Sequence, residues 1–105
     1  MIRKFAFVTA MAFTMATPAF AQDTTDVQKE GECRKQGQIA TNIMTERKNG
    51  SNARRAERRV IRGLPEDAKN YEVAVPAMVE WIYSLPEEQM TPEVSNALYQ
   101  ACLSQ

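Results

Sequence analysis

The sequence predicts an all-α protein, a small four-helix domain with one disulfide joining its first and last helices, following a cleaved signal peptide. Three observations carry this. Apolar residues recur at helical spacing in four stretches, which are separated by Asn49-Gly50, Gly63-Leu64-Pro65 and the Leu85-Pro86 to Thr91-Pro92 region. No segment alternates apolar and polar residues for long enough to make a strand. Two cysteines, Cys33 and Cys102, stand near the two ends of the chain that follows the export signal.

Residues 1–21 have the three parts of a secretory signal peptide. Arg3 and Lys4 form a basic start, Phe5 to Ala16 an apolar run, and Ala19-Phe20-Ala21 a small-residue cleavage site before Gln22. A membrane span needs roughly 20 apolar residues and this run has about 12, so an anchor is disfavoured. No cysteine follows the run at the cleavage point, which argues against a lipoprotein. The expectation is a periplasmic or secreted protein with no membrane span in its mature form. Its disulfide-permissive compartment favours pairing of Cys33 with Cys102 over a redox pair, which usually has a Cys-x-x-Cys spacing, or a zinc site, which has no histidine to complete it. Closing a loop of about 70 residues would stabilise the fold by roughly 4 kcal/mol on the chain-entropy model.

Residues 22–26 read as a short disordered leader and 27–105 as a single helical domain. The first helix is expected from Val27 to Lys48, capped by Thr25 or Asp26, with Cys33, Gly37, Ala40, Ile43 and Met44 on its apolar stripe. Gly37 beside Ala40 marks a place where another helix approaches closely, and Asn49-Gly50 supplies a left-handed stop. Ser51 or Asn52 caps a second helix over residues 53–62, whose inner face holds Ala53, Ala56 and Val60, followed by Leu64. The third helix has the densest apolar content, Val75, Met78, Val79, Trp81, Ile82 and Leu85. Pro76 leaves two possible starts, near Val75 or at a kinked helix from Pro65, and the first is favoured. A single turn through Met90 precedes the last helix, residues 92–103, which Thr91-Pro92-Glu93 starts with a hydroxyl cap, proline at the first position and an acid in the first turn. Val94, Ala97, Leu98, Ala101 and Cys102 should face the core, with Tyr99 more exposed.

Charge is balanced in total and divided along the chain. From Lys29 to Arg62 ten Lys/Arg face four acids, a net +6; from Gly63 to Gln105 Lys69 faces seven acids, a net −6. Arg54, Arg55, Arg58, Arg59 and Arg62 concentrate the positive charge on the second helix. The plain reading is solvation and pairing with the acidic second half; the functional one is docking onto an anionic partner, either a protein or a cell-envelope component. Nucleic acid is discounted because the chain is exported. Tyr71, Trp81, Tyr83 and Tyr99 read as core and rim rather than a binding patch, and Met44, Met78 and Met90 as ordinary core residues.

Enzyme chemistry is disfavoured by inventory. The chain contains no histidine, which removes triads, an imidazole base and most metal sites, and a domain of this size leaves little room for a substrate cleft between carboxylates. No cofactor, metal or catalytic residue is expected.

Cys33, the Arg47-Lys48-Asn49-Gly50-Ser51 turn, the Leu85-Pro86 and Thr91-Pro92-Glu93 breaks and the ending Ala97 to Gln105 together resemble the small, two-cysteine, all-helical secreted proteobacterial proteins of unknown function. The resemblance implies fold, disulfide and compartment. The periplasmic acid-stress chaperones are a looser comparison, also small and helical with one disulfide, but they carry a long charged tail after the second cysteine where this chain has Leu103, Ser104 and Gln105. The expected function is a non-catalytic periplasmic interaction protein, with an acid- or envelope-stress holdase as the alternative.

Overall fold

The structure, a computed structural model, describes residues 19–105, with side-chain surroundings from residue 26 onward. The expected signal peptide therefore lies outside the described residues, apart from the backbone of Ala19–Ala21. Among the described residues there are four α-helices, α1 (Ala19–Lys48), α2 (Ala53–Arg62), α3 (Val75–Ser84) and α4 (Pro92–Leu103), two 3₁₀ helices at Glu66–Ala74 and Glu87–Gln89, and no strand.

α1 covers Ala19–Lys48, so it is already helical ahead of the expected start near Val27. The 22–26 segment expected as a leader is helical, and neither Thr25 nor Asp26 acts as a cap. No glycine or proline interrupts the chain between Ala19 and Glu30, so nothing local stops the helix from extending. Its far end closes as expected. Gly50 takes φ 88° and its N–H reaches Arg47 O at 3.1 Å, while Ser51 N–H reaches Glu46 O at 3.0 Å, so the last carbonyls of α1 are satisfied.

α1 is the spine of the core. Ile39, Ala40, Ile43 and Met44 are buried against Val60 of α2, Leu64, Ala68, then Val75, Val79 and Ile82 of α3, and Met90. Each large side chain such as Ile43 or Ile82, both fully buried, contributes about 1.5–3 kcal/mol by leaving water. Ile39 is missing from the expected stripe; it lies one turn before Ile43 and widens the buried face. α3 begins at Val75 with Pro76 in its first turn, which selects the favoured start, and the preceding Pro65 opens the 3₁₀ helix instead. Trp81 departs from its expected place. Val75, Val79 and Ile82 fill the inner face of α3, and Trp81 falls outside that face, 42 % exposed.

α4 lies along α1 but none of its residues is fully buried. Val94, Leu98 and Cys102 are half-buried, whereas Ala97 and Ala101, expected in the core, face solvent. Thr91 sits at the N-cap position without a side-chain cap hydrogen bond; Val94 N–H instead reaches the Thr91 carbonyl at 3.1 Å. Three other features hold the pair together. The Cys33–Cys102 disulfide joins them with Cα atoms 5.5 Å apart, Thr41 Oγ1 and Ser95 Oγ share a hydrogen bond of 2.7 Å, and at Gly37 the α4 backbone passes at a distance that leaves room for no more than a β-carbon. Tyr99, expected to be exposed, is half-buried over this glycine.

A β-carbon at Gly37 would stand 3.5 Å from Ser95 O and 3.9 Å from Tyr99 Cβ, an ordinary contact. Gly37→Ala should therefore keep the α1–α4 contact and raise stability by about 0.5–1 kcal/mol through helix propensity. Gly37→Leu should destabilise by about 1–3 kcal/mol through overpacking, and urea denaturation of the two variants checks the opposite signs.

Candidate docking surface

The arginine cluster sits on α2, a helix whose position is set from both ends and from beneath. Asn52 caps it, its side-chain oxygen accepting from Arg55 N–H at 2.9 Å, and Gly63 ends it with N–H to Arg59 O at 3.0 Å. Ala56 and Val60 are buried in the core, so the remaining faces turn outward and Arg54, Arg55, Arg58, Arg59 and Arg62 are all exposed.

Among the described residues these arginines form no ion pair with the acidic half of the chain. Among the described residues, Arg59 alone of the five forms an ion pair, 3.7 Å from Glu46 of α1, while Arg54, Arg55, Arg58 and Arg62 make none. The expected pairing with the second half is thus corrected. The inner face of α2 packs on α1 and α3, and although Arg54 lines a cleft together with Glu80 of α3, the two form no ion pair. Arg54 and Arg55 also stand in the first turn, where the positive end of the helix dipole disfavours cations, and the i,i+4 pairs 54/58, 55/59 and 58/62 each cost a few tenths of a kcal/mol, about 0.2–0.5. The helix breaks local stability rules on its outward face and is rescued by its buried face. Arg59 and Arg62 stand in its last turn, where the dipole favours cations.

Other basic residues serve the fold. Arg47 Nη1 donates to Ile82 O and Leu85 O, both at 2.7 Å, and its guanidinium lies 5.4 Å from the Tyr83 ring centroid. It closes the C-terminal end of α3 with a positive charge and fixes that helix to α1. Lys35 of α1 reaches Glu32 Oε1 and Asp67 O, each at 3.0 Å, and Glu32 in turn accepts a hydrogen bond from the Tyr71 hydroxyl. This cluster ties the 3₁₀ helix Glu66–Ala74 to α1. Neither Arg47 nor Lys35 stood out in the sequence, because a cation hydrogen-bonding remote backbone carbonyls has no local pattern.

The aromatics do not form one patch. Tyr71 lies on Glu32, Tyr83 donates to Ser51 O beside Arg47, Tyr99 covers Gly37, and Trp81 faces a separate groove between α3 and α4. Among the described residues no group of three or more His, Cys, Asp or Glu could hold a metal ion, and no helix is long and apolar enough to cross a membrane. No protein family, curated protein or solved structure matches this chain. The surface must be read from its own chemistry.

The Tyr71 hydrogen bond and the neighbouring Lys35 ammonium hold the Glu32 carboxyl below its ordinary value of 4.5. A depressed carboxylate contributes stability that is complete above its unfolded value and is lost as pH falls through the folded one. Stability measured against pH should therefore decline on the acid side of 4.5, and Glu32→Gln should make that decline shallower while lowering stability at neutral pH. An unchanged acid limb in the variant would remove Glu32 from the account.

Proposed function

We propose that this chain is a non-catalytic interaction protein of the cell envelope, which uses the α2 arginine face to dock an anionic partner. The observation that supports it is the set of exposed arginines, Arg54, Arg55, Arg58 and Arg62, without ion pairs among the described residues and held at a fixed spacing by a helix anchored in the core. Fixed guanidinium groups suit carboxylate or phosphate partners, since each presents a planar fork of donors. The envelope address rests on the signal sequence in residues 1–21 and on the Cys33–Cys102 disulfide, which suits an oxidising compartment.

A stress-holdase reading has one observation in its favour. The Glu32–Tyr71 link between α1 and the 3₁₀ helix weakens in acid, which would loosen the cover over the core. It is second because the apolar side chains it would need to present, Val75, Val79 and Ile82, lie at the centre of the core.

Reversing Arg54, Arg55 and Arg58 to Glu should abolish capture of envelope components that bind the parent protein, and raising salt should weaken the parent's binding. Because these residues are exposed, the thermal midpoint should stay within a few degrees, about 4 °C or less. An identical set of captured components from parent and variant would contradict the proposal.

A further inference from the structure

We propose that the groove between α3 and α4 is a second docking site, of opposite charge, which accepts a cationic amphipathic segment of a protein partner. The groove holds about 470 Å³ and is lined by apolar Trp81, Leu85, Val94 and Ala97 and by polar Glu88, Gln89, Thr91 and Glu93. No cation lines it, and among the described residues neither acid forms an ion pair.

Trp81 has no role in the core that would explain it. It is the chain's one tryptophan and is 42 % exposed, next to Ile82, which is fully buried. An exposed tryptophan in a concave apolar site is the type of residue that anchors interfaces. Both helices beside the groove are anchored to α1, α3 at its end by Arg47 through the Ile82 and Leu85 carbonyls and α4 at its far end by the disulfide.

Charge complementarity selects the occupant. The face of an indole attracts cations, and two carboxylates on the rim add hydrogen-bonding partners for lysine or arginine, while the floor needs an apolar side chain. An amphipathic helix with cations flanking a leucine face supplies both. Anionic lipid would be repelled by Glu88 and Glu93. The α2 helix of a second copy supplies arginines but no apolar face, because Ala56 and Val60 are buried in its own core.

The single tryptophan reports the test directly. Titrating the whole protein with a Lys/Leu amphipathic helical peptide should shift Trp81 emission to the blue with saturation, and the matching Glu/Leu peptide should not. Glu88→Gln with Glu93→Gln should weaken binding about tenfold, whereas Glu72→Gln with Glu80→Gln, an equal loss of charge outside the groove, should leave it unchanged. Reversal of Arg54, Arg55 and Arg58 should not reduce peptide binding, so failure of this site is distinguishable from failure of the α2 site. Three results overturn the inference: no shift with the cationic peptide, equal weakening by both Gln pairs, or a shift that appears on concentrating the protein alone and vanishes in the arginine variant, which would put a second copy in the groove.

Discussion

The disulfide between Cys33 and Cys102 is the constraint on which the arrangement of this protein depends most. α1, α2 and α3 share a conventional core, in which Ile39, Ile43, Val60, Val75, Val79 and Ile82 are removed from water. α4 buries no residue fully, and besides the disulfide it is held by half-buried Val94, Leu98, Tyr99 and Leu103, a hydroxyl pair and the close approach over Gly37. These contacts are small beside the entropy of ordering the segment, at roughly 1–2 kcal/mol per residue of backbone. The cross-link closes a sequence separation of 69 residues and removes about 4 kcal/mol of loop entropy from the unfolded chain. It ties the end of α4 to α1, and α4 supplies one side of the groove.

A division of labour among the cations follows the same geometry. Arg47 and Lys35, both on the spine helix, point into the junctions with α3 and the 3₁₀ helix, where they satisfy backbone carbonyls. The α2 arginines lie beyond the reach of those junctions and meet no acidic partner of the second half. The +6 and −6 segments of the sequence meet where Lys35 lies 3.8 Å from Asp67, but form no ion pair at the α2 arginines among the described residues. They form two surfaces of opposite sign, one a convex helix face rich in guanidinium groups and one a concave groove rimmed by carboxylates.

Most of the fold was legible in the sequence because its helices obey strong local rules. Asn52 and Gly63 frame α2, Asn49-Gly50 ends α1, Pro76 sits in the first turn of α3, and Pro92 in that of α4. Gly37 revealed the close helix approach, since a glycine on a buried stripe has little other use. The helical state of residues 22–26 was not legible, as polar residues such as Gln22 to Asp26 are compatible with leader or helix. Nor was the exposure of Trp81, Ala97 and Ala101: a helical wheel gives the period of the apolar face but not its width, which depends on what packs against it. The arginine face was visible as a charge run, but its lack of partners required the fold. The groove had no sequence signature, because its floor and rim come from two helices and the turn between them.

Hydrogen exchange of the whole protein, with the disulfide intact and after reduction, tests the dependence of α4 most directly. Reduction should strip protection from the amides of Pro92–Leu103, while those around Ile43, Val60, Val79 and Ile82 keep most of theirs. Unchanged protection in α4 would show that its own packing holds it, and simultaneous loss in all four helices would show that it is not a separable wall; either result would contradict the account.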